Sequence, residues 1–124
     1  MACVMLRKRK FDHRTPALEK LHWLPVNYRV SFKIAALVYS IKNTGQPAYL
    51  RQILQDYVPV RSLRSSSRNL ICKSTVETVI ASRGFRHSAV AVWNNLPDDI
   101  RDSKTLNIFK RKLKTHLFKS AFGT

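Results

Sequence analysis

From Thr15 onward the apolar residues recur at three- and four-residue intervals, and the runs are broken at proline or glycine. Thr15-Pro16 has the form of a helix start, a hydroxyl N-cap followed by proline in the first turn. It predicts a short helix through Leu18 and Leu21, ending near Trp23-Leu24. Pro25 opens the most regular run. Val30, Ile34, Leu37, Val38 and Ile41 recur at helical spacing there, with Arg29, Lys33 and Lys42 falling largely off that stripe. Asn43 to Gly45 ends the helix, since glycine readily takes the left-handed conformation of a helix terminus. Pro47 restarts the chain into a third helix carrying Leu50, Ile53 and Leu54, closed by Tyr57 and Pro59.

Residues 60–69 are polar and serine-rich and predict a loop or linker. The next stretch changes character. Leu70, Cys72, Val76, Thr78 and Ile80 give a partial alternation with β-branched residues, which predicts a short β-hairpin within residues 69–81, turning near Lys73 to Thr75. Gly84-Phe85 leads into a helix across Ala89, Val92 and Trp93, stopped by Pro97. A last helix, with Ser103 as its expected N-cap, carries Leu106, Phe109, Leu113 and Leu117 on one face. Lys104, Lys110, Arg111, Lys112, Lys114 and Lys119 fall on the other. The fold expected is mainly α: a small helical domain of about five helices with one short β-hairpin, over residues 15–122, behind a basic arm at residues 1–14. No internal repeat is present.

Charge narrows the partners. Lys and Arg number 23 against 7 acidic residues, a formal net charge of +16 and a pI near 10.7. Such a surplus repels itself unless a polyanion neutralises it. Nucleic acid fits best, because each phosphate neutralised releases condensed counterions; a ribosome or an anionic membrane surface satisfies the same arithmetic. Three groups are the candidate phosphate contacts: Arg7, Lys8, Arg9 and Lys10 in the arm, Arg61, Arg64 and Arg68 in the serine-rich loop, and Lys110, Arg111, Lys112 and Lys114 in the last helix. Each has a plainer reading. The arm is then the severed tail of an upstream helix, the loop a flexible linker (which spacing alone slightly favours), and the helix face merely solvated. Phosphorylation of Ser65, Ser66 or Ser67 would cut the loop's charge.

Other chemistry is sparse. Cys3 and Cys72 stand far apart with no Cys-x-x-Cys pair, so two reduced thiols in a nuclear or cytoplasmic protein are expected. The longest apolar cluster, Ile34 to Tyr39, is far too short to span a membrane. No secretory h-region follows the basic N-terminus, and a mitochondrial transit peptide is disfavoured by the lack of serine there. Asp98-Asp99 invites comparison with paired metal-binding carboxylates, but a proline-started turn suits acids that offset the positive end of a helix. His13, His22, His87 and His116 are scattered without the spacing of a helical metal site, and three glycines cannot form a phosphate loop. Trp23 and Trp93 suit base stacking, yet their apolar neighbours favour the core. No catalytic residue, metal, cofactor or small-molecule substrate is expected.

Longer motifs carry a resemblance. Phe11-Asp12-His13, Thr15-Pro16, Leu21-His22-Trp23-Leu24-Pro25-Val26, Tyr28-Arg29 and Phe32-Lys33-Ile34 are followed by Gly45, Pro47, Tyr49-Leu50, Tyr57-Val58-Pro59 and Arg61-Ser62-Leu63-Arg64-Ser65-Ser66. Then come Arg83, Phe85, Ala89, Trp93-Asn94, Leu96-Pro97, Ile100-Arg101, Phe109-Lys110, Leu113-Lys114-Thr115-His116-Leu117-Phe118 and Ala121-Phe122. Over about residues 11–122 the chain resembles the C-terminal region of LINE-type (non-LTR, jockey-like) retrotransposon reverse transcriptases. The Leu-His-Trp-Leu-Pro-Val block, the Trp-Asn-x-Leu-Pro block and the Phe-Lys-x-x-Leu-Lys-Thr-His-Leu-Phe ending are specific together and weak singly.

The resemblance implies a parent RNA-directed DNA polymerase, usually with an endonuclease, whose catalytic carboxylates belong to the palm and have no counterpart here. It implies a helical, thumb-adjacent or post-thumb module that holds template RNA or target DNA, with the polymerase portion as a further partner. Departures cluster in residues 70–92: Cys72 where proline is usual, Ala81-Ser82 where Gly-Asp is usual, and Ala89-Val90-Ala91-Val92 where Ala-Pro-x-Leu is usual. They suggest a drifted copy started within a truncated element. The expectation is a non-catalytic fragment that binds nucleic acid without sequence preference. The alternatives are a basic structural protein such as a ribosome-associated subunit, or a genomic relic with no selected function.

Overall fold

The computed structural model describes residues 5–7, 9, 12–64, 69–73, 75 and 77–123. Among them the protein is mainly helical, with seven helices and no sheet: α1 Thr15–Lys20, α2 Val26–Thr44, α3 Ala48–Ile53, α4 Val79–Ser82, α5 Phe85–Asn94, α6 Asp98–Arg101 and α7 Leu106–Phe122. The two helices beyond the expected five are the single turns α4 and α6.

α1 starts one residue earlier than expected. Arg14 is the N-cap, Thr15 is already helical, and no side chain caps the end. Pro16 is tolerated because an amide in the first turn has no intrahelical partner to lose. The helix also stops short of Trp23. His22 adopts a left-handed backbone, φ 52°, the amide of Trp23 reaches back to the carbonyl of Leu18 at 2.9 Å, and that of His22 to Glu19 at 3.0 Å. This is a Schellman termination with histidine where glycine is usual, and it turns the chain sharply into α2.

α2 runs from its Pro25 N-cap to Gly45, whose φ of 70° and 2.8 Å bond to the Ile41 carbonyl close the helix as expected. Its buried side shares Val38 and Ile41 with the expected stripe but adds Ala35 and Tyr39. Ala35, Val38, Tyr39 and Ile41 are buried, whereas Val30 is 52% and Leu37 37% exposed. With about 100° between successive residues, the packed face is rotated from the expected one by roughly one residue. Ala35 lets the neighbouring helices come close, and Tyr39 buries its ring while its hydroxyl donates to the Ser103 carbonyl at 2.6 Å.

The core forms where α2 packs on α5 and α7. Tyr39 stacks on Phe109 at 4.4 Å, and Trp93 lies against the same Phe109 at 5.9 Å. Trp93 is 1% exposed, and its indole N–H donates to the Asn69 carbonyl at 2.8 Å. As expected, Phe109, Leu113 and Leu117 of α7 are buried, with Leu106 partly so. The N-cap of α7 is Thr105 rather than Ser103: its hydroxyl accepts the Ile108 amide at 3.3 Å, while Ser103 bonds back to the Ile100 carbonyl.

α3 follows Pro47 as expected but ends at Ile53, leaving Leu54 as its buried C-cap and Ile53 partly exposed. The predicted hairpin does not form among the described residues. Ile71 makes a single antiparallel bridge with Asp56, held by Tyr57 N–H to Leu70 and Cys72 N–H to Gln55 at 3.0 and 2.8 Å. The rest of what a second strand would supply comes from Asn94, whose amide accepts from Ile71 N–H at 3.0 Å and donates to its carbonyl at 2.9 Å. Thr78 then caps α4 by accepting from Ala81 at 3.2 Å, so the β-branched Val79 and Ile80 become exposed helical residues.

Candidate nucleic-acid interface

The expected basic residues that are described lie on three separate segments: the arm, the loop and α7. In the arm, Arg7 and Arg9 are exposed, and the Arg9 amide bonds the Asp12 carboxylate at 3.0 Å. Lys8 and Lys10 lie outside the described residues, as do Cys3 and Arg68. Arg61 and Arg64 are exposed on the loop whose base the Asp56–Ile71 bridge closes. Cys72 is a free, exposed thiol.

Helical spacing splits the cations of α7. Phe109, Leu113 and Leu117 fix the inward face, so Lys110 and Lys114 lie on one flank, Arg111 at the outer crest, and Lys112 and Lys119 on the opposite flank. Lys112 is already engaged: its ammonium donates to the Asp99 carboxylate at 2.9 Å and to the Asp99 carbonyl at 3.3 Å. Asp99 and Asp98 occupy the first turn of α6, and Asp98 pairs with the buried Arg101. Asp98 thus braces α6 internally, and Asp99 ties α6 to α7. Among the described residues no three His, Cys, Asp or Glu side chains come together as metal ligands, and no helix is long and apolar enough to cross a membrane.

Two further cations are tied down. Lys42 and Arg51 converge on Asp56 at 2.5 and 2.8 Å, and the largely buried Lys42 also lies 5.7 Å from the Trp93 ring centroid. Burial pushes the Asp56 carboxyl up, but the hydrogen bonds and charges of Arg51 and Lys42 outweigh it and hold the group below its usual value. This cluster pins α3 and the Asp56 bridge to α2.

One place where exposed cations converge was not among the candidates. A groove of about 480 Å³ lies between the α1–α2 corner and α7, lined by His22, Trp23, Leu24, Arg29, Phe32, Lys33 and Lys114. Its lining is apolar and aromatic in the middle and carries three cations. Arg29 and Lys33, one turn apart on α2, are exposed like Lys114, and none of the three is ion-paired among the described residues. Trp23 is only partly buried, unlike Trp93, and so departs from the expected core role. The Schellman turn positions this corner, and the His22 ring packs 5.4 Å from Phe118 of α7. The i, i+4 spacing of Arg29 and Lys33 was the one signal the sequence offered; their meeting with Lys114 depends on tertiary packing. Comparison with protein families, curated proteins and solved structures finds no match.

Proposed function

We propose that the chain is a nucleic-acid-binding module that grips phosphates without reading sequence. We further propose that it derives from the C-terminal, post-palm region of a LINE-type reverse transcriptase, with the polymerase portion of that enzyme as a further partner. The observation that carries the binding reading is the uncompensated charge. Of a formal +16, the ion pairs among the described residues engage Lys42, Arg51, Arg101 and Lys112. The cations at the candidate interface remain exposed, where phosphate contact gains most from counterion release. The origin rests on the motif resemblance alone. In this reading the chain by itself is not catalytic; its adjacent carboxylates Asp98 and Asp99 pair with Arg101 and Lys112.

The test is binding of the purified protein to labelled single-stranded RNA and duplex DNA across a salt series. The expected result is a linear fall of log affinity with log salt, at about −0.9 per phosphate engaged on duplex and about −0.7 on a single strand. Absence of binding at low salt overturns the proposal. Metal-dependent primer extension by the protein alone overturns its non-catalytic part.

A further inference from the structure

We infer that the groove between the α1–α2 corner and α7 is a site for unpaired nucleotides, with bases stacked on its aromatic lining and phosphates held by Arg29, Lys33 and Lys114. This rests on the phosphate-binding function proposed above and assigns it a place and a preferred form of nucleic acid.

Three features select this ligand. The groove's volume of about 480 Å³ falls among clefts that take small ligand groups, about 300–1,000 Å³. Its lining combines Trp23, His22 and Phe32 with Leu24, an apolar and aromatic surface suited to the π-face of any base. Its cations, drawn from two helices, are paired with no acid among the described residues, so the charge complementarity left over is for an external anion. A paired duplex keeps its base faces stacked inside and offers only phosphates to such a surface, whereas an unpaired strand presents base and phosphate together. The occupant that uses both halves of the lining is therefore single-stranded nucleic acid. Its sugar is left open: RNA and DNA share the chemistry recognised.

The two tryptophans make the inference measurable. Trp93 is buried in the core at 1% exposure, while Trp23 lines the groove. Intrinsic fluorescence would be followed during titration with single-stranded RNA, single-stranded DNA of the same sequence, and the matching duplex. Anisotropy of labelled strands would give the affinities. Either single strand should quench part of the emission more strongly than duplex does, and Trp23→Phe should abolish that quenching while Trp93 still emits. Trp23→Ala should weaken single-strand binding by about 5- to 160-fold, the effect of losing one stacking platform, with little change on duplex. Should Trp23→Ala not fold, Arg29→Ala with Lys33→Ala carries the test: the single-strand salt slope should fall by about 0.7 per substitution. Salt-dependent binding without Trp23 quenching, or with equal losses on single strand and duplex, overturns the groove and leaves the phosphate-binding function standing. No binding of any strand at low salt overturns both.

Discussion

Replacing Asn94 tests how the middle of the chain is held. Ile71 is 2% exposed, and its amide and carbonyl are both satisfied by one side chain, the Asn94 carboxamide. Asn94→Ala would strand a buried donor and a buried acceptor together. Each unsatisfied group costs about 1–3 kcal/mol. Water that reached the two stranded groups would repair part of this, so the expected total is about 2–4 kcal/mol. That is a large share of the roughly 5–15 kcal/mol that stabilises a small domain. Equilibrium urea unfolding should show it as a midpoint lower by about 1–2 M, for a slope near 2 kcal/mol per M.

Asn94→Asp sharpens the test. It keeps an acceptor for the Ile71 amide but loses the donor to the Ile71 carbonyl and sets a charged oxygen nearby, so at neutral pH it should be no better than Asn94→Ala by more than about 1 kcal/mol. The same anchor governs Trp93, whose N–H bonds the Asn69 carbonyl two residues before Ile71. A red-shifted Trp93 emission in the folded mutant would therefore accompany the loss. A destabilisation below about 0.5 kcal/mol, or an Asn94→Asp protein as stable as the parent, would refute the claim that this carboxamide replaces a strand.

Two other outcomes follow from the ion pairs. Asp56 has a lowered pKa in the folded protein, so its contribution to stability is fully present above the unfolded value of about 3.8 and disappears as pH falls through the lower folded value. Thermal melts between about pH 5 and pH 2 should show Asp56→Asn losing less stability than the parent over that interval, having already lost the pair at neutral pH. Lys112→Ala should lower the salt slope of duplex binding by clearly less than Lys110→Ala, for which about 0.9 is expected if Lys110 meets a phosphate, because Lys112 is held by Asp99; equal losses would show that the pair opens on binding.

The packed face of α7 was legible in the sequence and that of α2 was not, for a physical reason. α7 has one apolar stripe, and Phe109, Leu113 and Leu117 leave no choice of which side packs. α2 is apolar on nearly every side. Val26, Val30 and Leu37 are exposed while Ala35, Val38, Tyr39 and Ile41 are buried, and the choice is made by contact with α5 and α7, which periodicity along α2 alone does not contain. A small residue and an amphipathic ring, Ala35 and Tyr39, mark the true interface better than the bulkiest aliphatics do. The alternation over residues 69–81 misled for a related reason. Its β-branched residues serve one bridge and one helix cap, and Asn94, which stands in for a partner strand, lies in another element. The groove was hidden because its parts come from opposite ends of the chain.

The rotation of α2 and the division of α7 bear jointly on how a strand would lie. If nucleic acid ran along α7, the cations on both its flanks would have to face one backbone, yet Lys110 and Lys114 point away from Lys112 and Lys119 by most of half a turn. Lys112 is further held back by Asp99 of α6. The flank bearing Lys114 meets instead the side of α2 that carries Arg29 and Lys33, a side turned toward solvent because Ala35 and Tyr39 turn the other way into the core. Charge therefore extends from the Lys114 flank of α7 across the α2–α7 seam. The geometry favours a strand crossing the seam, so Arg29, Lys33, Lys110 and Lys114 should contribute to the salt slope as a set while Lys112 contributes little.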